Sequence, residues 1–316
     1  MSQFGATSTA DEVLRDIDLA GRTVFITGGY SGLGEETARA MGARGADLIL
    51  SGRDGAKLAA AAGQITEQTG ATVDTVSCDL ASLASIRAAG AEANARFGKI
   101  DLLINNAGVM ACPFGRTADG FETQFGTNHL GHFLLTSLLL PLVRQGSAQR
   151  IVNLSSRGHH IDRVHLDDPN FAAREYDKWR AYGQSKTANV LFAVGLERRL
   201  ADEGIHAFAL HPGGIHTNLG RHMSADDMAA LRKRIEDATG EAPQFKTVPQ
   251  GAATTCWVAT APELAGRGGL YAEDCHIATI DDTDPNGGVR SYAVDPETAE
   301  ALWTLSEELV GQPFPA

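Results

Sequence analysis

A tyrosine and a lysine four residues apart, Tyr182 and Lys186, are the side chains of this sequence best suited to chemistry. In an α-helix, positions i and i+4 share a face, so the ammonium can act on the same site as the phenol. A free tyrosine has a pKa of ~10, and lowering it to neutrality requires about 4 kcal/mol. One partly buried ammonium at ~4 Å supplies about that at an effective dielectric of ~20. The pair therefore predicts a proton donor, although the same spacing also occurs on ordinary amphipathic helices.

A glycine-rich turn near the start of the chain predicts a dinucleotide-binding site. An apolar, β-branched run at 22–27 precedes Gly28, Gly32 and Gly34, and a helical pattern with carboxylates in its first turn follows. Glycines let the backbone approach a pyrophosphate, and the start of a helix attracts anions. The spacing departs from the usual Gly-x-Gly-x-x-Gly fingerprint, and a chain with 35 glycines can produce such runs by chance. The flanking strand and helix argue against chance.

Apolar runs alternate with helical patterns from residue 22 to residue 210. This alternation predicts a parallel sheet with right-handed crossovers and helices on both faces, that is, a doubly wound α/β Rossmann fold. Ligands in such sheets bind beyond the carboxyl ends of the strands, and the motifs of this chain fall there. The predicted strands are 22–27, 47–51, 72–77, 100–104, 150–154 and 205–210, and the predicted helices include 56–68, 83–97, 121–143 and 181–201.

Composition excludes several classes of protein. With 316 residues and 43% hydrophobic content, the chain can form one large domain. A formal charge of −12 without basic clusters argues against nucleic acid as a partner. Four cysteines without a Cys-x-x-Cys pair indicate packed thiols in a reducing compartment and no structural zinc.

The sequence predicts a cytoplasmic protein without a membrane partner. The first residues have neither a basic segment nor an apolar segment of the kind found in secretory signals. The most apolar stretch, 133–143, is too short to cross a bilayer and contains Pro141.

Taken together, the motifs resemble those of the short-chain dehydrogenase/reductase family. They are Thr27-Gly-x-x-x-Gly-x-Gly34, Asn105-Asn-Ala-Gly108, Asn128, Ser156 and Tyr182-x-x-x-Lys186. The resemblance covers a single domain at 18–311, leaving an N-terminal extension at 1–17 and a C-terminal tail at 312–316. Segments 127–136, 152–160 and 297–303 are most similar to the retinol-dehydrogenase-like branch.

The resemblance implies an NAD(P)-dependent oxidoreductase that interconverts an alcohol and its carbonyl. Tyr182 is then the acid/base, Lys186 modulates its pKa and binds ribose, Ser156 orients the carbonyl, and Asn128 supports a proton-relay water. Ser155 competes with Ser156, but neighbouring residues of a strand point to opposite faces. The implied cofactor-binding residues are Gly28, Tyr30, Ser31, Gly32, Leu33, Gly34, Arg53, Asp79, Leu80, Asn106, Ala107, Gly108, Tyr182, Lys186, Pro212, Gly213 and Thr217.

The end of the second strand bears on the choice between NADP and NAD. An acid there binds the ribose 2′-hydroxyl of NAD, whereas an arginine pairs with the 2′-phosphate of NADP. This chain has both, as Arg53 and Asp54. We expect Asp54 to cap the following helix and Arg53 to favour NADP. Ser31 takes the other position where NADP-dependent relatives often have a basic residue, so NAD remains the less favoured alternative.

Two segments interrupt the alternation and are expected to shape the substrate pocket. They are an insertion at 157–181 and a lid at 216–247 with a helical pattern at 226–238. Their apolar side chains predict a hydrophobic alcohol or carbonyl substrate, unless they only pack the lid onto the body. The side chains concerned are Met110, Phe114, Phe171, Trp179, Met223, Met228 and Phe245.

Other interpretations follow from single features. His129-x-x-His132 lacks the glutamate of a His-Glu-x-x-His zinc site, so we predict no metal and assign both histidines to the core or the pocket edge. A serine hydrolase lacks its Gly-x-Ser-x-Gly turn. A non-catalytic NADP-binding regulator is the alternative function. By resemblance, the 133–143 helix and the helix of Tyr182 predict a homodimer, with burial inside one subunit as the other possibility.

Overall fold

Eight strands form one sheet in the computed structural model, which describes residues 3–147, 149–240, 242 and 244–315. Their bounds are β1 Thr23–Thr27, β2 Asp47–Gly52, β3 Val73–Ser77, β4 Leu102–Asn105, β5 Arg150–Leu154, β6 His206–His211, β7 Leu270–Glu273 and β8 His276–Ile277. The order across the sheet is β3-β2-β1-β4-β5-β6-β7-β8, and all neighbours are parallel except β7 and β8. Because β1 lies between β2 and β4, the winding direction reverses there, and a ligand crevice is expected at that point.

Helices cover both faces of the sheet, and each face has its own apolar core. The helices are α1 Ala10–Val13, α2 Gly32–Gly42, α3 Gly55–Thr69, α4 Leu83–Arg96, α5 Thr123–Phe125, α6 Gly131–Val143, α7 Lys178–Leu200, α8 Ala225–Thr239, α9 Val248–Thr260 and α10 Pro296–Val310. One core includes residues of α4, α6, α7 and α10, and the other includes residues of α1, α2, α3 and α9. Along β1, Phe25 belongs to the first core and its neighbours Val24 and Ile26 to the second, because successive strand residues alternate faces.

The predicted α/β class and parallel Rossmann sheet are confirmed, and the six predicted strands correspond to β1 to β6 within two residues. The sequence pattern did not predict β7, β8, α9 or the full length of α10. All four cysteines are buried free thiols, as expected. Among the described helices, none is long and apolar enough to cross a membrane.

The two helices that were expected to pair in a dimer are largely buried within the chain. Eleven residues of α6 are buried, and in α7 every residue from Ala181 to Leu196 is buried. α4 packs on α6, and α10 packs on α7, where the Trp303 ring fits against Gly195. These contacts correspond to the alternative of burial within one subunit. Homodimerisation stays a prediction, and it would require a surface other than these buried residues.

Candidate active site

A cavity of about 1310 Å³ opens at the carboxyl ends of the parallel strands. It is lined both by the glycine turn after β1 and by Ser156, Tyr182 and Lys186. All the predicted cofactor residues line it except Gly34. Of the four predicted catalytic residues, only Asn128 does not line it. The cavity exceeds the ~300–1,000 Å³ of an ordinary ligand pocket, so it has room for a cofactor together with a substrate.

The glycine turn has the features that a pyrophosphate site requires. Gly28 and Gly32 have φ values of +67° and +58°, which side chains strain to adopt. A side chain on Gly34 would run into the Gly28 carbonyl oxygen, so Gly34 allows α2 to pack on the turn. The Ser31 side chain makes no capping hydrogen bond at the start of α2. The first N–H groups of this helix therefore keep their capacity to bind an anion, and the turn fits a dinucleotide.

At the end of β2, the acid and the arginine have different environments. The Asp54 carboxylate accepts a hydrogen bond from the Lys57 N–H at 3.1 Å and caps α3, as predicted. Arg53 is exposed, lines the cavity and forms no ion pair with another described residue. Lys57 also lines the cavity, with its ammonium 3.3 Å from Asp54, and sequence reasoning missed it. Its position one helical turn after Arg53 was the available signal.

A buried histidine helps to fix the loop after β4. The Thr27 hydroxyl accepts hydrogen bonds from the N–H groups of Asn106 at 2.9 Å and Ala107 at 3.0 Å. His132 Nδ1 lies 2.9 Å from the Asn128 carbonyl oxygen, which only accepts, so Nδ1 carries the proton. His132 Nε2 then accepts from the Thr27 hydroxyl at 2.9 Å. Burial lowers the pKa of His132 to about 4, so the ring is neutral. The assignment of this histidine to the core is confirmed.

His129 is also a core residue, 2.8 Å from the Ser306 hydroxyl through Nε2. Within the described ranges, no three His, Cys, Asp or Glu side chains are grouped so that they could hold a metal ion.

Ser156, Tyr182 and Lys186 meet at one wall of the cavity. Tyr182 is only 4% exposed, and burial raises its pKa to about 12, against the effect of a hydrogen bond with Ser156. The Lys186 ammonium donates to the Leu154 carbonyl oxygen at 2.9 Å and lies 5.7 Å from the centre of the tyrosine ring. Burial lowers the pKa of Lys186 to about 7. The lowered tyrosine pKa that the four-residue spacing predicted is therefore not found, because burial outweighs the hydrogen bond with Ser156.

The two neighbouring serines have separate contacts. The Ser155 hydroxyl is buried and donates to the Lys186 carbonyl oxygen at 2.7 Å, so it anchors α7. The Ser156 hydroxyl instead faces Tyr182 and accepts from the Gly158 N–H at 3.0 Å. The choice of Ser156 over Ser155 agrees with these contacts, but the predicted reason, opposite faces of a strand, is not shown, because both serines follow β5 and both hydroxyls contact α7.

Asn128 lies in a π-helical turn, Gly126–Leu130, between α5 and α6. Its side-chain oxygen accepts from the Val109 N–H at 2.8 Å. Its amide donates to the Val109 carbonyl oxygen and to the Ser185 hydroxyl, both at 2.9 Å. The side chain therefore joins the loop after β4 to α7, which holds Tyr182 and Lys186. Its support of a relay water stays a prediction.

A C-terminal loop supports the backbone of Ser156, a contact that the sequence did not reveal. His159 Nδ1 lies 2.7 Å from the Ser156 carbonyl oxygen, and the Arg290 N–H donates to His159 Nε2 at 3.2 Å. The guanidinium of Arg290 donates to the carbonyl oxygens of Asp281 and Asp284. Residues about 130 positions apart are thus joined behind the reactive wall.

The predicted lid spans 216–247, of which 241 and 243 lie outside the described residues, and its predicted helix corresponds to α8. A backbone bridge between Ile215 and Lys246 closes the base of this segment. An ion pair between Lys178 and Asp227 ties α8 to the start of α7. Met223, Met228 and Phe245 of this segment line the cavity, and its role as a substrate lid stays a prediction.

Five of the seven predicted apolar pocket residues line the cavity, namely Met110, Trp179, Met223, Met228 and Phe245. Phe114 and Phe171 do not line it; both rings pack around Tyr176, at 5.1 and 5.2 Å between centres. For these two residues the pocket prediction is wrong, because their rings pack on Tyr176 of the insertion instead.

Known proteins share this sequence and architecture over nearly the whole chain. A family model described as short chain dehydrogenase matches residues 22–228. Short-chain dehydrogenase TIC 32 B, chloroplastic, from Brassica napus is 41% identical over 98% of this chain and 95% of that protein. Retinol dehydrogenase 14 from Homo sapiens is 39% identical over 92% of this chain and 87% of its own length.

A solved structure of an uncharacterised protein from Mycobacterium paratuberculosis matches with a TM-score of 0.74. It is 37% identical, and the match covers 98% of this chain and 100% of that one. From the family match and these relatives, the chain belongs to the short-chain dehydrogenase/reductase family, in its retinol-dehydrogenase-like branch, and is an oxidoreductase of the kind that uses NAD or NADP.

Proposed function

We propose that this chain is an NADP-dependent enzyme that interconverts a hydrophobic alcohol and its carbonyl, with Tyr182 as the acid/base. The observation that carries the proposal is the meeting of Ser156, Tyr182 and Lys186 in the cavity that also contains the uncapped start of α2. The turn after β1 would hold the pyrophosphate, and Lys186 the nicotinamide ribose. When bound, the cofactor supplies the hydride.

The residues of the protein donate one proton and orient one substrate oxygen. Because its pKa is about 12, the Tyr182 phenol is protonated at neutral pH, which is the form that carbonyl reduction requires. Ser156 lies beside the phenol, so both hydroxyls can bind the same substrate oxygen and orient it. As the phenol gives up its proton, a charged Lys186 at 5.7 Å from the ring centre stabilises the phenolate by about 3 kcal/mol at an effective dielectric of ~20.

Two features at the end of β2 support NADP over NAD. The Asp54 carboxylate is engaged in capping α3, which leaves it poorly suited to bind a ribose hydroxyl. Arg53 and Lys57 place two cations on the cavity wall, where a 2′-phosphate would gain charge-assisted hydrogen bonds.

The lid supports a lipophilic substrate. Met223, Met228 and Phe245 line the cavity from the lid, and Trp179 lines it from the insertion. Thioether side chains adapt to varied shapes, and an apolar wall favours ligands with an apolar body. A cytoplasmic location, a homodimer and the absence of nucleic-acid and membrane partners stay predictions from the sequence.

The proposal is tested by replacing the phenol. In Tyr182→Phe, turnover of an aryl ketone with NADPH should fall at least about a hundredfold, because general acid catalysis is typically worth ~10²–10⁴. NADPH affinity, measured by fluorescence titration, should stay unchanged. The control Tyr176→Phe removes the hydroxyl of a half-buried tyrosine that does not line the cavity, and it should retain turnover. A folded Tyr182→Phe enzyme with near-normal turnover would exclude the phenol as the acid.

A further inference from the structure

Two polar side chains at the substrate end of the cavity have nitrogens without partners. Arg157 follows Ser156, and His211 ends β6; both line the cavity. The Arg157 Nε and the His211 Nδ1 are buried and have no hydrogen-bond partner among the described residues. His211 as a whole is only 8% exposed. Leaving a buried polar group unsatisfied is costly, so two such groups in the lining of one cavity call for an explanation.

The charge of Arg157 is not balanced by an ion pair within the described part of the chain. Its positive charge contributes to lowering the pKa of His211 and acts in the same direction on the pKa of Glu273. The Glu273 carboxyl, whose pKa burial raises, accepts a hydrogen bond from the Gly288 N–H at 2.7 Å. The neighbouring cation Lys246 is different, because it pairs with Asp274. Arg157 therefore keeps its capacity to bind an anion.

His211 complements this cation. Burial, followed by the charges of Arg157 and Lys246, lowers its pKa well below the ordinary value, so the ring is neutral at physiological pH. A neutral imidazole can donate one hydrogen bond without adding a buried charge. Arg157 and His211 together offer a charged fork and a neutral donor.

These two residues lie away from the expected positions of the cofactor phosphates. The turn at 28–34 and Arg53 follow β1 and β2, whereas Arg157 and His211 follow β5 and β6. In the sheet, β4 separates β1 from β5. An anion bound here would therefore belong to the substrate.

We propose that Arg157 and His211 form a subsite for a carboxylate of the substrate. The substrates are then keto or hydroxy acids with an apolar body, whose acid group lies at this subsite and whose body lies under the lid. A guanidinium binds a carboxylate through two parallel hydrogen bonds, which gives orientation as well as affinity. That the keto or hydroxyl oxygen of such an acid is the reacting one rests on the proposed function. The carboxylate subsite does not depend on it.

The test compares 4-oxo-4-phenylbutanoate with its methyl ester. Binding of each is measured by calorimetry in the presence of NADP⁺, so that no reduction occurs, and initial rates are measured with NADPH. The wild-type protein should bind the acid at least about tenfold more tightly than the ester. In Arg157→Gln the acid should bind tenfold to a hundredfold more weakly, while the ester is unaffected. Arg157→Lys should show an intermediate loss, since it keeps the charge without the fork.

The matched control is Arg163→Gln, which removes an exposed arginine of the same segment that does not line the cavity. It should keep the preference for the acid. A preference that survives Arg157→Gln would overturn the subsite, and so would acetate binding as tightly as the keto acid. If Arg157→Gln weakened NADPH binding as much as it weakened binding of the acid, the arginine would belong to the cofactor site instead. If the preference depends on Arg157 but neither ketone is reduced, the subsite stands and the proposed function fails.

Discussion

Replacing Gly158 with alanine should displace the Tyr182 ring and slow catalysis without affecting the cofactor site. An alanine Cβ at this position would lie 2.7 Å from Cε1 and 2.9 Å from Cδ1 of the ring. Ordinary contact begins near 3.4 Å, so one of the groups must move by about 0.7 Å. The φ angle of Gly158 is not positive, so alanine adds no backbone strain. Because a misplacement of ~1 Å can cost ~10²-fold, we expect kcat to fall roughly tenfold to a hundredfold.

The assay is the NADPH-dependent reduction of an aryl ketone, with NADPH affinity measured separately and expected to remain unchanged. Gly63→Ala is the matched control, since its Cβ would meet nothing within 4 Å on the exposed face of α3. A double-mutant cycle makes the test specific: in a Tyr182→Phe background, Gly158→Ala should cause little further loss. Full additivity, or wild-type kcat in the single variant, would refute the idea that this glycine places the phenol.

Three further outcomes follow from the site. Arg53→Ala should weaken NADPH binding much more than NADH binding in fluorescence titrations, and Lys57→Ala should do so to a smaller extent. Equal losses of affinity for both cofactors would show that neither side chain binds the 2′-phosphate. Because the pKa of Lys186 is about 7, its charge is present below that pH and lost above it, so ketone reduction should slow as pH rises through about 7. That dependence should vanish in Lys186→Met. Light scattering at micromolar concentration tests the predicted homodimer, which particles of only the 33.4 kDa chain mass would contradict.

Local sequence patterns were sufficient to predict the half of the fold that contains the site. The apolar runs that became β1 to β6 are short and bounded by turn residues, which favours strands over helices. The motif residues follow these strands directly, and a parallel sheet brings their ends to one edge. The cap of α3 was also predictable, because Asp54 lies immediately before a helical pattern.

Contacts between distant segments were not predictable in the same way. The bond between His159 and Arg290 joins residues 131 positions apart, and no periodicity reports such a contact. Phe114 and Phe171 show the same limit: their apolar character was evident, but the residue on which both rings pack, Tyr176, depends on the fold of the insertion. The subsite residues Arg157 and His211 are single polar residues without a motif, so only their shared cavity relates them.

The pKa shifts of Tyr182 and Lys186 show why the spacing of the two residues was an incomplete guide to their chemistry. Both shifts have burial as their first cause, and each favours the neutral form, a phenol and an amine. A buried charge without a partner is costly, and with a pKa of about 7 Lys186 carries its charge in only about half of the molecules at pH 7. When the phenol transfers its proton to the substrate oxygen, a Lys186 that is already protonated stabilises the phenolate. The lysine therefore acts mainly on the product of proton transfer, and its contribution should appear in kcat rather than in the resting pKa of the tyrosine.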